Sequence, residues 1–131
     1  MDHEILVNQL RLLLQKLSDK WGPVTLFMLN TFGPGFAQPW HLIVSAQKLD
    51  RLSRSDAIKE MTKLVREHGN ASFWRPLIRI TVLKTQDPFV RSVNASMQVS
   101  PNEIETISDA IVAGFEIPYA LLVRSQSVAA V

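Results

Sequence analysis

The sequence contains no cysteine in its 131 residues. This absence excludes a disulfide scaffold, a thiol nucleophile, an iron–sulfur cluster and any zinc site built from thiolates. Glycine and proline are also scarce, with five and seven residues, which excludes a collagen-like or linker-dominated chain. Neither a run of 18 apolar residues nor a basic N-terminal leader occurs. We therefore expect a cytoplasmic protein that does not bind membranes.

The overall composition is that of an ordinary folded domain. Hydrophobic residues make up 47% of the chain and charged residues 20%, which is too apolar and too lightly charged for intrinsic disorder. A length of 131 residues fits one domain. We therefore expect a single α/β domain over residues 1–131, with a frayed tail at 127–131.

Hydrophobic periodicity predicts the order helix, strand, strand, helix, strand, helices, strand. Apolar residues recur at helical spacing over residues 4–20, 52–69, 88–95 and 101–114. Apolar or alternating runs of strand length cover residues 24–31, 40–49, 76–86 and 118–125. Capping signals support three of the helices, because the N-cap types Ser53, Asp87 and Ser100 stand where those helices begin. Gly114 is expected to end the helix over 101–114.

This order predicts an α/β fold of the α+β kind, a two-layer sandwich with a mixed four-stranded sheet. The first two strands are close enough in sequence to form an antiparallel hairpin, whereas helical crossover connections join parallel strands. We expect the helices mainly on one face of the sheet. The helix over 52–69 should bury one stripe against that face, formed by Ile58, Met61, Leu64 and Val65.

Side-chain alternation along the strands predicts one apolar sheet face and one mixed face. The mixed face combines three apolar with five polar side chains: Ile43, Leu83, Leu122, His41, Ser45, Arg79, Thr81 and Arg124. A mixed face that is partly uncovered is suited to a partner or a ligand. We therefore predict homodimerisation through the three apolar side chains and ligand or partner binding through three of the polar ones, His41, Arg79 and Arg124.

Charge is unevenly distributed, although the formal net charge is only +2. Residues 48–91 hold ten basic and five acidic side chains, while residues 92–131 hold one basic and four acidic ones. An anion or a nucleic acid would contact this basic segment through Arg51, Arg54, Trp74 and Arg75. Acidic residues interleave with the basic ones, so we do not favour nucleic-acid binding and prefer complementary protein faces.

No motif in the sequence predicts an enzyme, a metal site or a cofactor. The three histidines are isolated from one another, and the glycine pair Gly33 and Gly35 precedes a strand rather than a phosphate-binding helix. His41 and Ser45 share a strand face but lie too far apart for a nucleophile and its base. The leading hypothesis is thus a non-enzymatic protein-interaction or homodimerisation module. The alternative is an anion- or nucleic-acid-binding protein that uses residues 48–91.

Overall fold

The computed structural model of the chain describes residues 3–99 and 103–127. Five strands form one mixed sheet in the order β3-β2-β1-β5-β4, with bounds β1 (Val24–Asn30), β2 (Trp40–Ala46), β3 (Leu77–Val82), β4 (Glu105–Val112) and β5 (Phe115–Ser125). The α-helices are α1 (His3–Trp21), α2 (Arg54–His68), α3 (Ala71–Trp74) and α4 (Pro88–Ser96). A 3₁₀ helix, Gln47–Arg51, follows β2. The predicted α+β class is confirmed, but the sheet has five strands rather than four.

One side of the sheet, here called the helix face, is covered by α1 and α2. Leucines at helical spacing on α1 pack with the strand residues Phe27, Leu42 and Leu121 in one buried cluster. Three of the four residues predicted to be buried on α2, Met61, Leu64 and Val65, are at most 5% exposed, while Ile58 packs half-buried at the margin. In the two described ranges, no helix is both long enough and apolar enough to cross a membrane.

Local sequence signals account for the way α2 links two strands. Ser53 accepts a hydrogen bond from the Asp56 backbone N–H at 3.1 Å, which caps the first turn as the sequence predicts. The helix carries the chain back across the sheet, so β3 pairs parallel to β2. β1 pairs antiparallel to both β2 and β5. The predicted hairpin and the predicted parallel crossover are therefore both present.

The opposite side of the sheet, here called the open face, is covered in part by α4. Asp87 caps this helix by accepting from the Phe89 N–H at 2.8 Å, and Phe89, Val90 and Val93 then pack on strand residues of a second buried cluster. Helix α4 was predicted at this position in the chain, but it was not expected to cover this face. The open face is therefore half covered, and the uncovered half lies where β2 and β3 begin.

The helix predicted over 101–114 is wrong, because residues 105–112 form β4. Ala113 and Gly114, with φ of 51° and 81°, make the tight turn of a β4–β5 hairpin. Asp109, between the paired positions Ser108 and Ala110, has φ of 52°. At this residue the alternation of inward and outward side chains along β4 shifts by one position. The inward residues are Ile107, Ala110 and Val112. The helical spacing that suggested a helix comes from Ile104, Ile107 and Ile111, but Ile111 is 72% exposed on the outer side of the strand.

Residues 100–102, which include the predicted cap Ser100, lie outside the described residues. The same holds for residues 128–131 of the predicted tail.

Candidate functional site

A groove of about 350 Å³ occupies the uncovered half of the open face. Strand register places Arg79, His41 and Asn30 side by side across β3, β2 and β1. Neighbouring strands are about 4.8 Å apart, so these three side chains form one polar row on the groove floor. The rest of the lining consists of three polar side chains, Thr81, Asp87 and Glu116, and of five apolar ones: Ile43, Leu83, Phe89, Phe115 and Ile117.

His41 and Thr81 form the only hydrogen bond between two side chains of the groove lining among the described residues. The distance from His41 Nε2 to Thr81 Oγ1 is 2.7 Å. Partial burial of the imidazole lowers the pKa of His41 below its ordinary value of 6.5, and the nearby Arg79 guanidinium lowers it further. His41 is therefore mainly neutral at pH 7, with one ring nitrogen that donates and one that accepts hydrogen bonds.

This lowered pKa makes the stability of the fold depend on pH. As pH falls below 6.5, the unfolded chain takes up a proton at His41 before the folded chain does, so stability is lost until the folded pKa is passed. We expect the melting temperature to fall less between pH 7 and pH 5 in His41→Gln than in the unmodified protein. His68→Gln, which changes an exposed histidine on α2, is the control and should retain the full drop. An identical drop in all three proteins would contradict the assignment.

Three polar side chains of the groove, Arg79, Asn30 and Glu116, have a polar group with no partner among the described residues. Arg79 is exposed and forms no hydrogen bond or ion pair with them. The Asn30 Oδ1 atom is buried and accepts no hydrogen bond. A buried polar atom without a partner costs about 1–3 kcal/mol, so the groove floor has hydrogen-bonding capacity that the chain itself leaves unused.

The apolar wall of the groove joins α4 to the β4–β5 hairpin. Phe89 on α4 meets Phe115 on β5 edge-to-face, with ring centroids 5.9 Å apart. Phe89 is 8% exposed, whereas Phe115 is 62% exposed at the groove rim. An exposed aromatic ring beside a largely apolar groove is surface that a bound molecule would cover.

Of the three polar side chains predicted to bind a ligand or partner on this face, the structure brings two together. His41 and Arg79 are register partners in the groove, but Arg124 lies elsewhere. A bulge at Val123 pairs Arg124 with Phe27 and Leu122 with Met28, so Arg124 is turned toward α1. There its Nη1 donates to Gln126 Oε1 at 3.0 Å.

The predicted dimer surface is not exposed as a patch. Ile43 is 8% exposed and Leu122 is fully buried, because α4 and the β4–β5 hairpin pack over them. Leu83 is half-buried and lines the groove. The expectation that these three side chains form an uncovered apolar face is therefore wrong, since it overlooked the fifth strand and the side on which α4 packs.

The predicted basic site is divided between the two ends of α2. Arg51 and Arg54 are exposed near its start, and a helix of 15 residues spans about 22 Å. Beyond its other end, Trp74 packs against the core. The Arg66 guanidinium lies 4.3 Å from the Trp74 ring centroid and Arg75 lies 5.8 Å from it. The structure therefore does not bring these four residues into one binding surface.

Sequence reasoning missed Asn30, Phe89 and Phe115 as groove residues. Alternation along β3 did place Thr81 beside Arg79, which was a usable signal. Phe115 could not be assigned while the preceding segment was interpreted as a helix, and Asn30 stood at the end of a continuous apolar run without a distinguishing pattern.

The described ranges contain no group of three or more His, Asp or Glu side chains arranged to hold a metal ion. No family model, curated protein or solved structure matches the chain significantly.

Proposed function

We propose that the protein is a non-catalytic binding module that holds a small, partly apolar molecule in the open-face groove. The observation that carries the proposal is the groove itself, which is lined by five apolar side chains and by the polar row of Asn30, His41 and Arg79. Small-molecule sites are typically concave, about 300–1,000 Å³ in volume, mostly apolar and equipped with a few convergent polar groups. The groove has these properties, and the unpartnered Asn30 Oδ1 adds an unused acceptor at its floor.

The polar groups of the groove support binding more than catalysis. Thr81 and His41 are within hydrogen-bonding distance, as a nucleophile and its base would be. However, no carboxylate among the described residues accepts a hydrogen bond from the His41 ring. A nucleophile–base pair generally needs such an orienting group.

The test uses 3-phenylpropan-1-ol, a neutral probe with an aromatic ring and one polar end. In a ¹H–¹⁵N NMR titration, we expect the largest shift changes at groove residues such as His41, Thr81 and Phe115. Phe115→Ala should raise the dissociation constant about threefold to tenfold, the range of an aromatic contact. Phe32→Ala, which removes a ring that is 75% exposed outside the groove, is the matched control. Shifts confined to another cavity, or equal effects of both variants, would refute the proposal.

Homodimerisation through the sheet edges is the second candidate. Ile78 on the β3 edge is 70% exposed and Ile111 on the β4 edge is 72% exposed, so a second copy could cover one of these edges. Sedimentation velocity distinguishes a dimer from a module that works as a monomer. We also propose a cytoplasmic location, with which a cysteine-free sequence is compatible.

A further inference from the structure

We propose that the ligand of the open-face groove is a small carboxylate with an apolar body, with its carboxylate at Arg79 and the His41–Thr81 pair. This inference rests on the proposed function and adds the chemical class of the ligand. It follows from the positions of Arg79 and of the apolar residues Phe115 and Ile117 on opposite sides of the groove, and from the hydrogen-bond donors that the chain leaves unused.

The hydrogen bond between His41 and Thr81 leaves one donor free in either arrangement. If His41 carries its proton on Nε2, that N–H donates to Thr81 Oγ1 and the threonine O–H remains free. If the proton is on Nδ1, Nε2 accepts from the threonine and the Nδ1–H remains free. In both cases a spare donor lies beside the unpaired guanidinium of Arg79, and an anionic acceptor can use both.

Arg79 and the exposed Phe115 ring lie on opposite sides of the groove. Arg79 is on β3 and His41 on β2, whereas Phe115 and Ile117 are on β5, three strands from β3. At about 4.8 Å per strand, the strand that carries Arg79 and the strand that carries Phe115 and Ile117 are separated by about 14 Å. A ligand whose carboxylate binds at Arg79 therefore extends its short apolar body across β2 and β1 toward Phe115 and Ile117.

Two carboxylates, those of Asp87 and Glu116, also line the groove, and they define the alternative hypothesis of a cationic ligand. Asp87 accepts the Phe89 N–H as the cap of α4. Glu116 is exposed on β5, on the side away from Arg79. If these acids dominated the local potential, the groove would prefer a cation.

Three probes with the same phenylpropyl body separate these possibilities: 3-phenylpropanoate, 3-phenylpropan-1-ol and 3-phenylpropan-1-amine. We expect the acid to bind about threefold or more tighter than the alcohol at low salt, because Arg79 is solvent-exposed and its charge is partly screened. The amine should bind most weakly. Added salt should reduce the advantage of the acid.

Variants at Arg79 attribute this preference to its side chain. Arg79→Gln should make the acid and the alcohol bind equally, while Arg79→Lys should retain part of the preference. Arg91→Gln, which removes an exposed arginine outside the groove, is the matched control and should leave the preference unchanged.

The outcomes distinguish the two proposals. If the alcohol occupies the groove but the acid binds no tighter, or if the amine binds tightest, the carboxylate assignment fails and the groove remains a binding site. If none of the three probes shifts groove residues, the proposed function fails together with this inference.

Discussion

Replacing Phe27 with alanine should lower the free energy of unfolding by about 3–5 kcal/mol, the range for deleting a buried aromatic ring. Phe27 is fully buried on the central strand β1, within the cluster that joins α1 and α2 to the sheet. Because interiors are close-packed, the cavity left by the ring closes only partly. Urea unfolding followed by circular dichroism measures the change.

Phe32→Ala is the control for this measurement. Its ring is 75% exposed in the loop after β1, so the same chemical change should alter stability by less than about 0.5 kcal/mol. Similar losses in both variants would show that β1 is not the centre of the core.

Leu122→Asp should prevent the chain from folding. Because Leu122 is buried within the chain, the substitution tests the core and not the predicted dimer surface. Leu122 is fully buried on β5 beneath the cover of the open face. The substitution deletes a core leucine and buries an unpaired charge, and the two effects together cost more than about 5 kcal/mol. That is comparable with the whole stability of a small domain, about 5–15 kcal/mol. Yield of soluble protein and its circular dichroism spectrum measure the outcome.

The matched substitution on the neighbouring strand is Ile111→Asp. Ile111 is 72% exposed on the edge strand β4, so a carboxylate there remains in water and the protein should fold normally. A soluble, folded Leu122→Asp protein would contradict the position assigned to β5 and the covering of the open face.

The parts of the fold that follow from local sequence are those governed by short-range rules. Periodicity and the Ser53 cap define α2. Because α2 is long enough to carry the chain back across the sheet, a parallel pairing of β2 and β3 is expected, and it is observed. The Asp87-Pro88 pair likewise locates the start of α4, although not the side of the sheet on which it packs. That choice depends on tertiary packing, because its apolar stripe could cover either face.

Irregular strands explain most of what sequence reasoning misplaced. The bulge at Val123 turns Arg124 to the helix face, since one extra residue reverses the alternation beyond it. A second irregularity, between the pairs Trp40–Leu77 and His41–Arg79, leaves Ile78 70% exposed, although strict alternation along β3 would place it on the same side as the half-buried Ile80 and the buried Val82. No glycine or proline adjoins the bulge at Val123, and the prolines beside the second irregularity, Pro39 and Pro76, stand just before the strands begin. Strict alternation was therefore the only guide within the strands.

Only the polar part of the candidate site was predicted, because alternation is reliable only where the strands are regular. His41 and Arg79 lie on adjacent strands whose register is regular from that pair onward, so alternation placed them on one face. The apolar wall needed the β4–β5 hairpin, but the three- and four-residue steps between Ile104, Ile107 and Ile111 are typical of a helix and concealed β4. A groove formed between elements distant in sequence cannot be deduced from any one of them.

The most direct test of the groove as a binding site is a set of intermolecular NOEs between 3-phenylpropanoate and the isotope-labelled protein. We expect contacts from the phenyl protons to Phe115 and Ile117, and a change in the Arg79 side-chain N–H resonance as the carboxylate binds. Contacts to a different cavity, such as the one between α1 and α2 beside Leu64, would contradict the assignment, as would the absence of contacts at millimolar probe.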